Sequence, residues 1–186
     1  MLKDQRALRR PAWQPLRLFG AEVSLAGVTK PNTANVDGGT LQLNGIGLRS
    51  MFMVKVYVAG LYLEQKSSDA DAIIKTNTRK RIVMQFIHGV SKDQLVDSFT
   101  ESFTNNSPDA TNNVKADTDL LFGVLESVKS GDQMVFTFVP GAGTTFTVNG
   151  HDKLTIADPA LSSALFSVWL GPKPPTASVK KGLLGQ

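Results

Sequence analysis

A chain of 186 residues with 41% hydrophobic and 19% charged residues has the size and balance of one soluble domain with a single core. It holds no cysteine, which excludes disulfides, thiolate metal sites and a cysteine nucleophile. The formal net charge of +4 lies entirely in residues 1–20, where Lys3, Arg6, Arg9, Arg10 and Arg17 face only Asp4, so no clustered cations remain for a polyanion and nucleic-acid binding is not expected.

Residues 1–20, MLKDQRALRRPAWQPLRLFG, read as a flexible leader or non-native tail ahead of a domain at 21–186. Arg9, Arg10, Pro11 and Arg17 interrupt the run of roughly 7–15 apolar residues that a secretory signal needs. No transmembrane segment is expected either. The richest apolar stretch, 51–63, contains Lys55 and falls well short of the roughly 20 residues that span a bilayer.

Folded sequence is expected to begin near Val36, with Asp37-Gly38-Gly39 as a turn. Leu41 and Leu43 alternate with Thr40, Gln42 and Asn44, as in a half-buried strand. After Asn44-Gly45-Ile46-Gly47, residues 52–63 are rich in valine and tyrosine and apolar at both parities, the pattern of a strand buried on both faces. Residues 66–71 read as polar connection and 81–87 as another apolar strand.

Ser91 with Gln94 is a capping-box signature, and it opens a helix carrying Leu95, Val96, Phe99 and Phe103. A second helix carries Leu120, Leu121, Val124, Leu125 and Val128 and ends at Lys129-Ser130-Gly131-Asp132. Strands return at 134–139 and 144–148, joined by Pro140-Gly141-Ala142-Gly143, and Asn149-Gly150 turns the chain into a third at 153–156. Asp158 and Pro159 open a helix whose buried stripe is Leu161, Ala164, Leu165 and Val168; Gly171-Pro172 stops it, and a short helix over 176–184 closes the chain. This order argues for an α+β domain, an antiparallel sheet with helices packed on one face.

No cofactor or metal is expected. Only His88 and His151 could serve as histidine ligands, and neither a GxSxG elbow nor a phosphate-binding loop occurs. Gly45-Ile46-Gly47 lacks the third glycine of a dinucleotide fingerprint and precedes a strand. His151 reads as solvated beside its turn, and His88 as a structural residue at the end of a core strand. Arg49 differs, because it follows two glycines and adjoins a long apolar strand. A guanidinium beside an apolar layer receives a carboxylate or phenolate in two-pronged fashion. The structural alternative is an ion pair with an acid such as Asp37. Phe99, Phe103, Phe136 and Phe138 read first as core.

Three stretches, LNGIGLRSMFMVKVYVAGLYLE, IHGVSKDQLVDSFTESF and LFSVWLGPKPPTASVKKGLLG, resemble the chalcone isomerase-like superfamily, in particular its bacterial members, over about residues 23–184. The resemblance implies the chalcone-isomerase fold, an open-faced β-sandwich with a cleft between a large sheet and a helical layer. It implies two roles: plant enzymes that close chalcones to flavanones, and relatives that bind fatty acids without catalysis. Arg49 matches the family arginine, which stabilises the ionised hydroxyl in the first group and meets the carboxylate in the second. The other positions depart from the plant pattern. A threonine falls on Tyr57, the catalytic tyrosine close to Lys92, an asparagine near Phe99, and a late Thr-Met pair on Val168-Trp169.

Phe, Val and Trp in place of hydrogen-bond donors make a more apolar cleft with one cation at its end, which suits an amphiphile better than a polyhydroxylated flavonoid. The expected function is therefore non-catalytic binding of a small fatty acid-like acid anchored by Arg49, with Tyr57, Lys92, Phe99, Val168 and Trp169 around it. The alternatives are an intramolecular lyase cyclising a chalcone to a flavanone, with Arg49 as its catalytic residue, and a structural or partner-binding protein whose cleft is closed by Trp169 and the phenylalanines. Bacterial relatives usually carry a signal peptide, so the resemblance implies a periplasmic location, although residues 1–20 are not such a signal.

Overall fold

The computed structural model describes residues 21–108 and 114–186, so the expected leader at 1–20 lies outside the described residues. Seven strands form one antiparallel sheet in strict chain order: β3 (Thr33–Val36), β4 (Gly39–Met51), β5 (Val54–Leu63), β6 (Lys80–Phe86), β7 (Gln133–Val139), β8 (Gly143–Val148) and β9 (His151–Ile156). Tight turns make most of the connections and fix this neighbour-to-neighbour order. Two excursions are helical: α1 (Ala70–Lys75) joins β5 to β6, and α2 (Lys92–Asn106) and α3 (Lys115–Val124) lie between β6 and β7. After β9 come α4 (Pro159–Leu170) and α5 (Ala177–Leu183). The expected α+β class, an antiparallel sheet with helices packed on one face, is what the chain adopts.

Side-chain alternation along β5 sorts the core. Tyr57, Ala59, Leu61 and Leu63 face the helices and join Phe99, Phe136, Leu165 and Trp169 in the main cluster. Tyr62 points the other way, into a smaller cluster with Leu41, Leu43, Val83 and Val135. That second face has its own cover, a hairpin of β1 (Glu22–Leu25) and β2 (Val28–Pro31). Tyr62 Oη donates to the Pro31 carbonyl at 2.9 Å, and Lys30 is buried beneath the hairpin. Strand β5 is thus buried on both faces, as its composition predicts.

Three boundaries differ from expectation. Among the described residues, strand structure is already present at Glu22, ahead of the start expected near Val36, because β1 and β2 are four residues each and too short to show a period. The strand expected from 52 starts at Val54, since Phe52 and Met53 form the turn. The stretch read as polar connection runs into α1, whose N-cap Asp69 accepts from the Ala72 amide at 3.0 Å.

The second helix also stops early. It ends at Val124, Leu125 is already extended, and Val128 pairs with Val90 as an isolated bridge. Leu125 and Val128 stay buried after the helix ends, so their spacing mimics its continuation, while Leu120 is 55% exposed. The capping box of Ser91 and Gln94 and the Asp158-Pro159 start are both present.

Candidate functional site

Cross-strand register places the site. Across β4 and β5, Gly45 stands opposite Leu61, Gly47 opposite Ala59 and Arg49 opposite Tyr57. Residues directly opposite share a face, so Gly45, Gly47 and Arg49 form one row on the helix-covered side. The two glycines seat α5 directly on the strand. A Cβ on Gly47 would stand 2.5 Å from the Val179 carbonyl oxygen, and one on Gly45 would strike the Gly182 carbonyl. Asn44 pins the same helix, donating to the Leu183 carbonyl at 2.7 Å. These glycines serve close packing, since neither has a positive φ. Arg49 is the first side chain beyond the helix, and a register shift between Arg49 and Ser50 bends the strand there.

In front of Arg49 lies a cavity of about 460 Å³, within the range of small-molecule sites. Its floor is Arg49, Tyr57, Met84 and Phe86 from β4, β5 and β6. Helix α2 covers it with Gln94, Leu95, Asp97, Ser98, Phe99 and Ser102, and α4 closes an end with Val168 and Trp169. The walls are mostly apolar, with rings in edge contact. Tyr57 and Phe86 have centroids 5.7 Å apart, and Phe99 and Trp169 6.1 Å.

The polar corner consists of Arg49 and Tyr57. Trp169 Nε1 donates to Tyr57 Oη at 3.0 Å, and the Arg49 guanidinium carbon lies 6.0 Å from the Tyr57 ring centroid. Burial pushes the phenol above its ordinary pKa, and the Arg49 charge pulls it only partly back, so Tyr57 is neutral at physiological pH. Tryptophan and arginine are both pure donors, so neither consumes the Tyr57 hydroxyl proton. Arg49 itself is less satisfied. Its Nε is buried without a hydrogen-bond partner, and among the described residues no carboxylate forms an ion pair with it. The proposed pairing with Asp37 does not form. Arg79 occupies that corner, donating to the Asp37 carbonyl at 3.2 Å and pairing with Glu64 at 2.7 Å.

Of the six residues expected around a ligand, Arg49, Tyr57, Phe99, Val168 and Trp169 line this one cavity, and Lys92 does not. Lys92 sits in the first turn of α2, where its Nζ donates to the Gly123 carbonyl at 3.2 Å and its amide to Ser127 Oγ at 3.0 Å. Those bonds tie α2 to the chain leaving α3. The sequence reading omitted Ser98 and Ser102, although their offsets from Leu95, three and seven, mark the same helical face. It also omitted Met84 and Phe86, two apart on β6.

His88 is exposed at the cavity mouth rather than held in the core, and His151 is exposed beside its turn. Phe103, Phe136 and Phe138 are buried core, and Phe99 is both core and cavity wall. The rings leave the space before Tyr57 unfilled, which removes the reading in which they close the cleft. Among the described residues no helix is long and apolar enough to cross a membrane.

Comparison with known proteins agrees with this architecture. The sequence profile of the family described as chalcone isomerase-like matches residues 22–185. Among solved structures, an Arabidopsis thaliana fatty-acid binding protein superposes with a TM-score of 0.69 at 14% sequence identity, covering 88% of this chain and 96% of that one. At that identity the likeness speaks for the fold. No curated protein sequence matches the chain. With nearly the whole described domain inside the matched range, the chain belongs to the chalcone isomerase-like family.

Proposed function

We propose that this chain is a non-catalytic binding protein for a small amphiphilic acid of the fatty-acid type, with the carboxylate on Arg49 and the apolar tail along Phe86, Phe99 and Val168. The observation that carries it is the Arg49 Nε, a charged donor buried without a partner at the head of an apolar cavity. A buried unsatisfied donor costs about 1–3 kcal/mol, more when charged, so a ligand that meets it recovers that amount on binding. A carboxylate matches the guanidinium fork, and the neutral Tyr57 hydroxyl adds a second donor. The structural neighbour whose name records fatty-acid binding supports the reading.

The test is head-group discrimination, measured by displacement of a fluorescent fatty acid with palmitate and with its methyl ester. Palmitate is expected to bind about 10–100-fold tighter than the ester, as for a charge-assisted hydrogen bond of about 1.5–3 kcal/mol. Arg49→Met is expected to erase that difference. Equal affinity for acid and ester in the native protein would end the anchor reading.

The polar corner also favours a second reading, in which Arg49 stabilises the ionised hydroxyl of a chalcone while Tyr57 donates to its carbonyl. Stereoselective flavanone formation above the spontaneous rate, lost in Arg49→Met, would replace the binding reading with this one.

A further inference from the structure

Among the described residues, four tight turns place two successive residues at positive φ: Ala26-Gly27, Asp37-Gly38, Phe52-Met53 and Asn149-Gly150. Three end in glycine, which enters the left-handed region without Cβ strain. The fourth does not. Phe52 stands at φ 47° and Met53 at φ 68°, where a bulky side chain is rare and strained. Nothing packs against these two side chains to account for the strain, since they are 92% and 99% exposed. Their neighbours Met51 and Val54 are also exposed, at 49% and 44%. An Asn-Gly pair would close the same hairpin relaxed. This sequence instead holds four consecutive apolar side chains out in water.

Two further features say what the tip meets. Between Gly38 and Leu63 the only charged residues are Arg49 and Lys55, so the apolar tip is flanked by cations alone. Met51, Phe52 and Val54 also stand at the rim of the cavity that Arg49 heads. Four side chains fall well short of the roughly 800 Å² per partner of a stable protein interface. Two copies meeting tip to tip would also bring like charges together. A lipid surface needs neither a large area nor a matched shape, only a few apolar side chains with cations behind them.

We propose that the β4–β5 tip is a membrane-docking element that sets Phe52 and Met53 into the acyl boundary of an anionic lipid surface, with Lys55 at the headgroups. Docking turns the cavity mouth toward the bilayer, which is the source of its amphiphile; that last step rests on the binding function proposed above.

The test is co-sedimentation of the full chain with phosphatidylcholine–phosphatidylglycerol vesicles, at low and at high salt and without added fatty acid. Cations in residues 1–20 are common to every variant, and high salt screens their share. At high salt Met53→Asn, which tolerates the same φ, is expected to lower partitioning about tenfold, as loss of one buried methionine predicts. Met53→Leu is expected to restore it. Equal partitioning of the native protein and Met53→Asn at high salt would overturn the proposal. So would a dimer without vesicle binding that Met53→Asn dissolves, since that would make the tip a contact between copies. Soluble palmitate affinity, measured separately, is expected to be unchanged in Met53→Asn. A native protein that partitions but takes up no palmitate upholds the tip and sinks only the cavity reading.

Discussion

Arg49 and Lys80 are cations held against the same helix-covered face of one sheet, and the structure treats them in opposite ways. They flank β5 on its two sides, Arg49 opposite Tyr57 and Lys80 opposite Leu63, positions about 20 Å apart along β5 at the usual strand rise. Lys80 is 1% exposed, yet its ammonium lacks nothing. Nζ donates to the carbonyls of Ile73, Ile74 and Thr76 at 3.0, 2.9 and 3.1 Å, closing the C-terminal end of α1. It also lies over the Phe138 and Phe166 rings at 5.4 and 5.1 Å. Arg49 has one ring at 6.0 Å, a cavity in front of it and a buried Nε with no acceptor. A buried cation whose donors the fold satisfies belongs to the fold. One left short beside a cavity is available to a ligand.

That contrast can be broken by substitution. The largest effect is expected at Gly47, where the strand carries α5 and Arg49 emerges beyond it. Gly47→Ala puts a methyl 2.5 Å from the Val179 carbonyl oxygen and should cost about 3 kcal/mol, read by urea denaturation. Lys80→Met comes next. It removes the shared donor from three carbonyls at the end of α1, of which Ile74 keeps Ser163 Oγ at 3.4 Å, and should cost about 2 kcal/mol by the same measurement, with palmitate affinity retained. A Lys80→Met protein as stable as the native one would remove the structural half of the comparison.

The smallest effect involves Lys30, the buried lysine under the β1–β2 hairpin, whose Nζ has no hydrogen-bond partner. Burial lowers its pKa to about 8, and does the same to Lys80. The unfolded chain keeps these protons up to about 10.5, so between pH 8 and 10 the unfolded state binds more protons and stability should rise with pH. Above that window Tyr57 and Tyr62, both raised by burial, act in the opposite direction. Lys30→Met should gain about 1 kcal/mol at neutral pH and flatten the rise, followed by denaturation across the pH series. An unchanged pH profile would show that Lys30 keeps its proton in the fold.

How much of this was legible in the sequence follows from the range of the interactions. The capping box at Ser91, the Asn149-Gly150 hairpin and the double-sided burial of β5 depend on neighbours in the chain, and the residue pattern states them. Arg49 was legible as an unusual cation beside an apolar strand, and family resemblance supplied most of its partners. The glycines before it were legible as close backbone geometry. Their cause, α5 arriving from the far end of the chain, was not. Lys80 was invisible for the same reason, because its acceptors belong to a helix too short to show a period. Lys92 rested on the resemblance alone, and an offset of one or two residues turns a residue at a helix start away from the face that Leu95 and Phe99 share.

The central claim, that Arg49 is an unfilled anion anchor rather than a second Lys80, is tested most directly by thermal melts of the native protein and Arg49→Met with and without palmitate. With palmitate at about 100 times its Kd, the native protein should gain about 2.7 kcal/mol and melt several degrees higher. Arg49→Met should start at least as stable without ligand and gain almost nothing on its addition. A variant that is destabilised without ligand, yet still shifts with palmitate as the native protein does, would contradict the account and make Arg49 a structural residue.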